Sequence, residues 1–296
     1  MPSPRLSEGG RSCDMTPGTL YIVSTPIGNL ADLSARALET LQGVSVVYAE
    51  DTRHSTTLLR HFGFRAVLRS LHEHNEARRI EEVLERLAGG EGCALISDAG
   101  TPTVSDPGTR LVSAVAGAGF RVEPIPGPSA VTAALAASGL PAGRFLFLGF
   151  APRKGRERDA WMRQVLESPD TVVVFEAPGR LESLLEAWVV DSASDRRCVV
   201  CRELTKLHEE VRYGTVETLR DYYTEANVRG EITVVLEGRA GGTSGPPVDE
   251  EEALAVANRM TSEGHTTQEI SRRLRGEFGM TRNQAYELAL RAADRK

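Results

Sequence analysis

The strongest constraint on the fold lies in the first 125 residues, where short β-rich runs alternate with stretches of helical spacing. Leu20–Ser24, Val44–Tyr48, Ala94–Ser97 and Arg121–Pro124 read as strands. Between them, Asp32–Leu41 (with Asp32 as N-cap), Arg53–Phe62 (ending at Gly63), Asn75–Ala88 and Pro107–Ala118 repeat apolar residues every three or four positions. Parallel strands need a crossover of a dozen or more residues, which a helix supplies. The alternation therefore predicts a mostly parallel α/β sheet.

After Pro126-Gly127-Pro128 the pattern changes. A helix over Ser129–Ser138 leads to a strand at Phe145–Phe150 and a charged segment, Arg153–Gln164. Val172–Phe175, Val199–Arg202, Glu210–Thr215 and Ile232–Glu237 read as strands, with a helix over Gly179–Trp188. Shorter connections predict a mixed sheet, hence a second α/β domain. Gly241–Pro247 (GGTSGPP) has linker composition. Beyond it, Thr266 with Glu269 and Thr281 with Gln284 form two capping boxes, each ahead of an apolar helical pattern. The expected division is a disordered extension at 1–16, α/β domains at 17–127 and 128–240, a linker at 241–248 and a helical domain at 249–296.

Composition excludes several classes. With 41% hydrophobic residues and 5% aromatics, the 296-residue chain has ordinary globular content. It lacks an apolar run of 18 residues, and its polar N-terminus lacks the apolar core of a secretory signal, so a cytoplasmic location without membrane insertion is expected. Four cysteines do not make a disulfide framework, and the Cys198-x-x-Cys201 pair lacks two further zinc ligands nearby. No metal site is expected. A formal charge of −6 means that any contact with nucleic acid must use local basic patches.

Three loops carry candidate chemistry, each at the carboxyl end of a predicted strand, where ligands of open parallel sheets sit. Thr25-Pro26-Ile27-Gly28 follows the first, and by itself reads better as a plain βα turn. Ser97-Asp98-Ala99-Gly100-Thr101-Pro102, running on to Ser105-Asp106-Pro107-Gly108, lets backbone approach a ligand closely. It matches neither a dinucleotide fingerprint nor a phosphate-binding loop. Asp106 is placed to cap the next helix, with Pro107 at its first position. In Pro126-Gly127-Pro128-Ser129-Ala130, Pro128 suits a first helical turn, leaving the Ser129 and Ala130 amides as donors for a carboxylate or an adenine edge.

In this order, from Leu20 to Leu140, these motifs resemble the tetrapyrrole methylases, and more closely their ribosomal-RNA branch, the 16S rRNA cytidine 2'-O-methyltransferases. Ala49-Glu50-Asp51-Thr52-Arg53-His54, Phe175-Glu176-Ala177-Pro178, Arg202-Glu203-Leu204-Thr205-Lys206 and Gly230-Glu231-Ile232-Thr233 extend the resemblance to Gly238, and the helical tail continues it. Porphyrin- and corrin-methylating relatives carry Gly-Gly-Asp-Pro where Ala99-Gly100-Thr101-Pro102 stands, which points away from a tetrapyrrole substrate. The resemblance implies S-adenosylmethionine in a cleft between two domains, held by Pro26, Asp98, Ala99, Gly100, Thr101, Val104, Ser129, Ala130, Glu176, Leu204, Glu231, Ile232 and Thr233. It also implies a homodimer, acting on naked 16S rRNA or an assembled small subunit at cytidine 1402. Bottom-up reading flags only the first three segments, and Leu204 and Ile232 could equally be core.

The implied reaction is attack of a ribose hydroxyl on a sulfonium methyl, in which alignment and exclusion of water dominate. Glu50 and Asp51 are the candidate bases, and either could instead orient Arg53. RNA phosphates would meet Arg53 and His54 in one patch, extended by Arg60, His61, Arg65 and Arg69, and Arg153, Lys154, Arg156 and Arg158 in another. His72-Glu73-His74-Asn75 resembles metal-ligand spacing only superficially. Two competing readings are a tetrapyrrole-precursor methyltransferase and a ligand-sensing DNA-binding regulator. Changing Arg153, Lys154, Arg156 and Arg158 together to alanine should weaken RNA binding and flatten its log–log salt slope by about 0.7–0.9 per lost phosphate contact. Filter binding across salt concentrations reads this, and an unaltered slope would make the segment an ordinary solvated helix face.

Overall fold

A computed structural model describes residues 16, 18–72, 74–224, 228–239, 250–278 and 282–293. The first sheet contains β1 (Thr19–Val23), β2 (Val46–Ala49), β3 (Val67–Ser70), β4 (Cys93–Ile96) and β5 (Arg121–Ile125), in spatial order β3-β2-β4-β1-β5 with every pairing parallel. Successive side chains point to opposite faces. Tyr21, Val23, Val47, Ala49, Ala94 and Ile96 face α1 (Ala35–Gly43) and α2 (Thr52–His61). Leu20, Val46, Tyr48, Cys93 and Leu95 face α3 (Glu76–Ala88) and α4 (Thr109–Gly117). Both faces are buried, which explains near-continuous apolar strands instead of alternating ones.

The second sheet is mixed. It contains β6 (Phe145–Phe150), β7 (Thr171–Glu176), β8 (Arg197–Arg202), β9 (Glu210–Thr215) and β10 (Ile232–Leu236), in the order β6-β7-β10-β8-β9. β6 and β7 are parallel, while β10 runs antiparallel to both β7 and β8. One face packs on α6 (Arg156–Glu167), α7 (Leu181–Trp188) and α8 (Val216–Thr224) around the buried Trp188. The other packs on α5 (Ala130–Ser138) and takes in Ile27 from the first half of the chain. Cys198 belongs to one of these cores and Cys201 to the other, so their thiols lie on opposite faces of the sheet. Three further helices, α9 (Glu250–Ser262), α10 (Thr267–Phe278) and α11 (Arg282–Ala293), close their own small core around Ile270, Leu274 and Leu288.

Several boundaries differ from the sequence expectation. Asp32 ends a 3-10 turn capped by Asn29, and α1 starts after Ser34, whose side chain accepts from the Ala37 amide. Asp106 is no cap: α4 begins two residues later than expected, after Gly108, whose φ of 120° no other residue adopts comfortably. Pro128 likewise stands outside α5, whose N-cap is Ser129. Edge strand β3 and helix α8 are not signalled in the sequence, and the charged segment Arg153–Gln164 is largely helix α6; β3 is a half-exposed four-residue strand that contains Arg69 and follows Arg65. The Thr266–Glu269 capping box is reciprocal, at 2.9 and 3.3 Å. The extension expected at 1–16 (Thr16 apart), the linker expected at 241–248 and the start of the second capping box, Thr281, lie outside the described residues.

Gly238, two residues after β10, is wedged against the backbone of Pro169 and Asp170 while the next amide donates to Ser168 O at 2.7 Å. A Cβ there would meet backbone that cannot move without shifting β7. Gly238→Ala should cost about 1–3 kcal/mol, read as a lower urea midpoint with unchanged m-value.

Candidate functional site

The three loops flagged in the sequence are stitched together. Thr25 and Gly100 exchange two backbone hydrogen bonds of 2.8 and 3.0 Å, and Thr25 Oγ1 donates to Ser97 O at 3.1 Å. The Ser24 and Thr101 hydroxyls meet at 3.0 Å, and Thr101 Oγ1 donates to Pro128 O at 3.4 Å. Gly127 lies so close to Ser24 that a Cβ would come within 2.9 Å of the Ser24 Cβ. The carboxyl ends of β1, β4 and β5 are thereby locked into one wall.

The second sheet supplies the opposite wall. Because β10 is antiparallel to β7, its first residue, Ile232, pairs with the last residue of β7, Glu176, and also with Arg202 at the end of β8. The two halves touch where the Asn29 amide donates to Thr205 Oγ1 at 3.1 Å and Gly28 packs on Lys206. Lys206 bridges Glu203 and Glu231 at 2.8 and 3.0 Å. Glu203 and Thr205 both sit at positive φ, 52° and 68°. Thr103 and Ser105, at 73° and 65°, strain the facing loop in the same way. Such backbone persists where surrounding contacts over-determine it, commonly at binding sites.

Between the walls lies a cavity of about 390 Å³. Eleven of the thirteen cofactor residues expected from the resemblance line it: Asp98, Ala99, Gly100, Thr101, Val104, Ser129, Ala130, Glu176, Glu231, Ile232 and Thr233. Pro26 is buried beneath it, and Leu204 packs into the core with Ile27 and Val235. Glu50 lines the cavity, and Asp51 does not. Asp51 instead caps α2 through the Arg53 amide at 2.8 Å and pairs with the Arg53 guanidinium, which holds its carboxyl low, at about 2. Of the two roles expected for Asp51, base or partner of Arg53, the structure shows the second.

The expectation missed Asp106, Phe150 and Phe175, all of which line the cavity. Asp106 was hidden by its resemblance to a helix cap, and the phenylalanines by their place in an apolar strand pattern. Burial pushes the Asp106 carboxyl up to about 6, the Glu50 and Asp98 charges adding to the rise and the Ser97 hydroxyl opposing it. Five carboxylates line the cavity, Glu50, Asp98, Asp106, Glu176 and Glu231, and no Lys, Arg or His stands among its described lining residues. Glu176 is enclosed. Its Oε1 accepts from the Ala177 amide at 2.8 Å and faces Arg180 at 3.3 Å, while its buried Oε2 finds no partner among the described residues. Burial raises this carboxyl too, against the pull of its own amide partner and of Arg180.

Of the basic patches, Arg53 and His54 are exposed on the first turn of α2, with Arg53 engaged by Asp51. Arg153, Lys154 and Arg156 are exposed before and at the start of α6, and Arg158 is half-buried, donating to Pro152 O at 3.1 Å. His72 contacts the Asn75 amide group at 3.0 Å and lies away from the cavity. Among the described residues, no three His, Cys, Asp or Glu side chains converge as metal ligands, and no helix is long and apolar enough to cross a membrane.

The family model described as "Tetrapyrrole (Corrin/Porphyrin) Methylases" matches residues 19–220. The chain is 42% identical to the ribosomal RNA small subunit methyltransferase I of Synechocystis over 92% of its length and 98% of the relative's. The chain belongs to the tetrapyrrole methylases, in the branch of these ribosomal RNA enzymes. The Xylella fastidiosa member is 48% identical over 76% of this chain and 83% of its own. Among solved structures, uroporphyrin-III-C-methyltransferase from Thermus thermophilus superposes with a TM-score of 0.53 at 22% identity, covering 74% of this chain and 94% of that one. A cobalt precorrin-4 methyltransferase gives 0.56 at 18%, covering 74% and 95%. At these identities the structures establish the shared fold of the methylases and leave substrate open.

A carboxyl raised in the fold above its unfolded value opposes folding once it ionises. Stability therefore falls as pH rises from about 4 to about 6 through Asp106, and stays low above. Asp106→Asn should raise the melting temperature at pH 8 and leave it unchanged near pH 4, measured by scanning calorimetry.

Proposed function

We propose that this enzyme transfers the methyl group of S-adenosylmethionine to the 2'-hydroxyl of a cytidine ribose in 16S rRNA, cytidine 1402 by resemblance. The cleft carries the reading. Its volume of about 390 Å³ lies in the usual range for small-molecule sites. Its lining is anionic, which suits a ligand bearing a sulfonium and an ammonium group. The buried, unpartnered Glu176 Oε2 fits a hydrogen-bond donor, and the first-turn amides of α5 beside Ser129 and Ala130 fit a carboxylate. When bound, S-adenosylmethionine supplies a methyl group already activated by positive charge. The Asp98–Val104 loop, Ser129, Ala130 and Glu231–Thr233 would hold it, with Pro26 and Leu204 supporting from beneath.

The RNA reading rests on the relatives, whose names specify small-subunit ribosomal RNA. Phe150, 57% exposed and 5.4 Å from Phe175 between ring centres, offers an aromatic face at the cleft for an unstacked base. Arg153, Lys154 and Arg156 extend from that strand into solvent, placed for phosphates. Arg53 and His54 would add contacts on the opposite side, and the 249–296 helices would help dock a ribosomal subunit. Residues 17–127 and 128–240 would be the two cleft-forming domains, working as a cytoplasmic homodimer. A tetrapyrrole substrate has less support, because the matching structures share only the fold. The regulator reading has less support, because the methylase family model and the relatives' names both specify methyl transfer.

Incubation with labelled S-adenosylmethionine and small ribosomal subunits, followed by mapping of the label, tests the proposal. Label on one cytidine ribose supports it, and label on no RNA overturns it. Gly100→Val should abolish cofactor binding in calorimetry with the circular dichroism spectrum intact. Gly100 has φ 80°, and a Cβ would stand 3.4 Å from Ile27 Cγ2, placing a branched side chain on the cavity wall.

A further inference from the structure

We propose that Asp106, on the loop between β4 and α4, is the group that accepts the proton of the ribose 2'-hydroxyl. The inference rests on the 2'-O-methylation reading above. Asp98, Glu176 and Glu231, among the other carboxylates of the cleft, are each engaged. Asp98 Oδ1 accepts from the Asp51 amide at 3.2 Å. Glu176 is enclosed and faces Arg180 at 3.3 Å. Glu231 is paired with Lys206 at 3.0 Å. Asp51 lies outside the lining and is held by Arg53.

Asp106 differs in three ways. It lines the cleft on the same wall as Gly100 and Thr101, and its hydrogen-bond partner is the neutral Ser97 hydroxyl. Its loop is pinned in one conformation by Thr103 and Ser105 at positive φ and by Gly108, whose φ of 120° and tight fit against Leu95 fix where α4 can start. Strain of that kind holds a side chain in place. The charged groups that face it are Glu50 after β2, Asp98 after β4, and Glu176 and Glu231 from the second sheet, the latter two already neutralised by Arg180 and Lys206. Like charges at close range raise proton affinity, as does burial, and the carboxyl ends at about 6. A base whose proton affinity lies just below the operating pH is ionised yet still a competent acceptor.

The balance is simple. The ribose oxygen bonds to the methyl carbon as the carbon–sulfur bond breaks, its electron pair staying on sulfur. The hydroxyl proton passes to the Asp106 carboxylate, which returns it to solvent after the products leave.

Single-turnover methylation of small subunits by the full chain, from pH 5 to 9, tests the assignment. Wild type should rise with unit slope to a plateau above about pH 6. Asp106→Asn should fall about 100-fold or more, lose the inflection, and keep its affinity for S-adenosylmethionine in calorimetry. Asp106→Glu should recover part of the rate with a displaced inflection. A full-rate Asp106→Asn enzyme, or one that keeps the wild-type inflection, would overturn the proposal and move the role to Glu50. Loss of cofactor affinity in Asp106→Asn would overturn it too, making the residue a cofactor ligand. Label mapped to a base, not a ribose, would instead bring down the functional reading, and the Asp106 assignment with it.

Discussion

The pair of backbone hydrogen bonds between Thr25 and Gly100 is the tie on which the cleft depends. β1 and β4 are adjacent in the sheet, yet their carboxyl-terminal loops could diverge freely once the ladder ends at Ile22 and Leu95. The bridge prevents this by pairing the two segments again, three residues past Ile22 and five past Leu95, now antiparallel. It also satisfies two amides and two carbonyls that would otherwise lie unpaired under the cavity, which buried backbone cannot tolerate cheaply. With those loops fixed, Thr101 reaches the Pro128 carbonyl, and so the start of α5 is placed. The helix then delivers its N-terminus to the cleft while its other face packs on the second sheet. One local pairing thus sets the geometry between two sheets.

The cleft concentrates negative charge. Five carboxylates around about 390 Å³ repel one another, and the molecule answers with Arg180 behind Glu176, Lys206 behind Glu231 and a raised proton affinity at Asp106. None of these responses places a cation on the lining itself. The arrangement trades stability of the empty protein for attraction to a positively charged guest, a trade common where binding sites are preformed. It also keeps phosphates off the floor of the cleft, so that a nucleic acid could present only its sugar edge there, with its backbone held further out.

Much of the first sheet was legible because doubly buried parallel strands leave long apolar runs that few other structures need. β3 was not, being a short, half-exposed edge strand with arginines at Arg65 and Arg69. The motif loops were legible as loops, and their convergence was not, since spacing along the chain says nothing of which strand ends become neighbours. Asp106 shows the difficulty best. Aspartate followed by proline is a sound signal for a helix start, and the true start lies two residues on because Gly108 turns the chain through a conformation aspartate cannot adopt. Asp51 takes the second of the two roles open to it: next to Glu50 in sequence, it caps α2 and holds Arg53.

The order of strands in the second sheet has a consequence for how the chain is made. β10, the last strand in sequence, lies at the centre, between β7 and β8. Until residue 236 has left the ribosome's exit tunnel, β7 and β8 have no partner on that side, and the apolar residues Val172, Val174 and Val200 have no closed sheet to join. The first sheet, complete by Ile125, suffers no such delay. A nascent chain of this architecture therefore carries a finished N-terminal half alongside an exposed, strand-rich middle for the time taken to synthesise roughly sixty residues, several seconds at typical elongation rates. During this interval the charged residues of α6, three arginines, two glutamates and an aspartate, stand beside those strands and oppose their pairing with another chain.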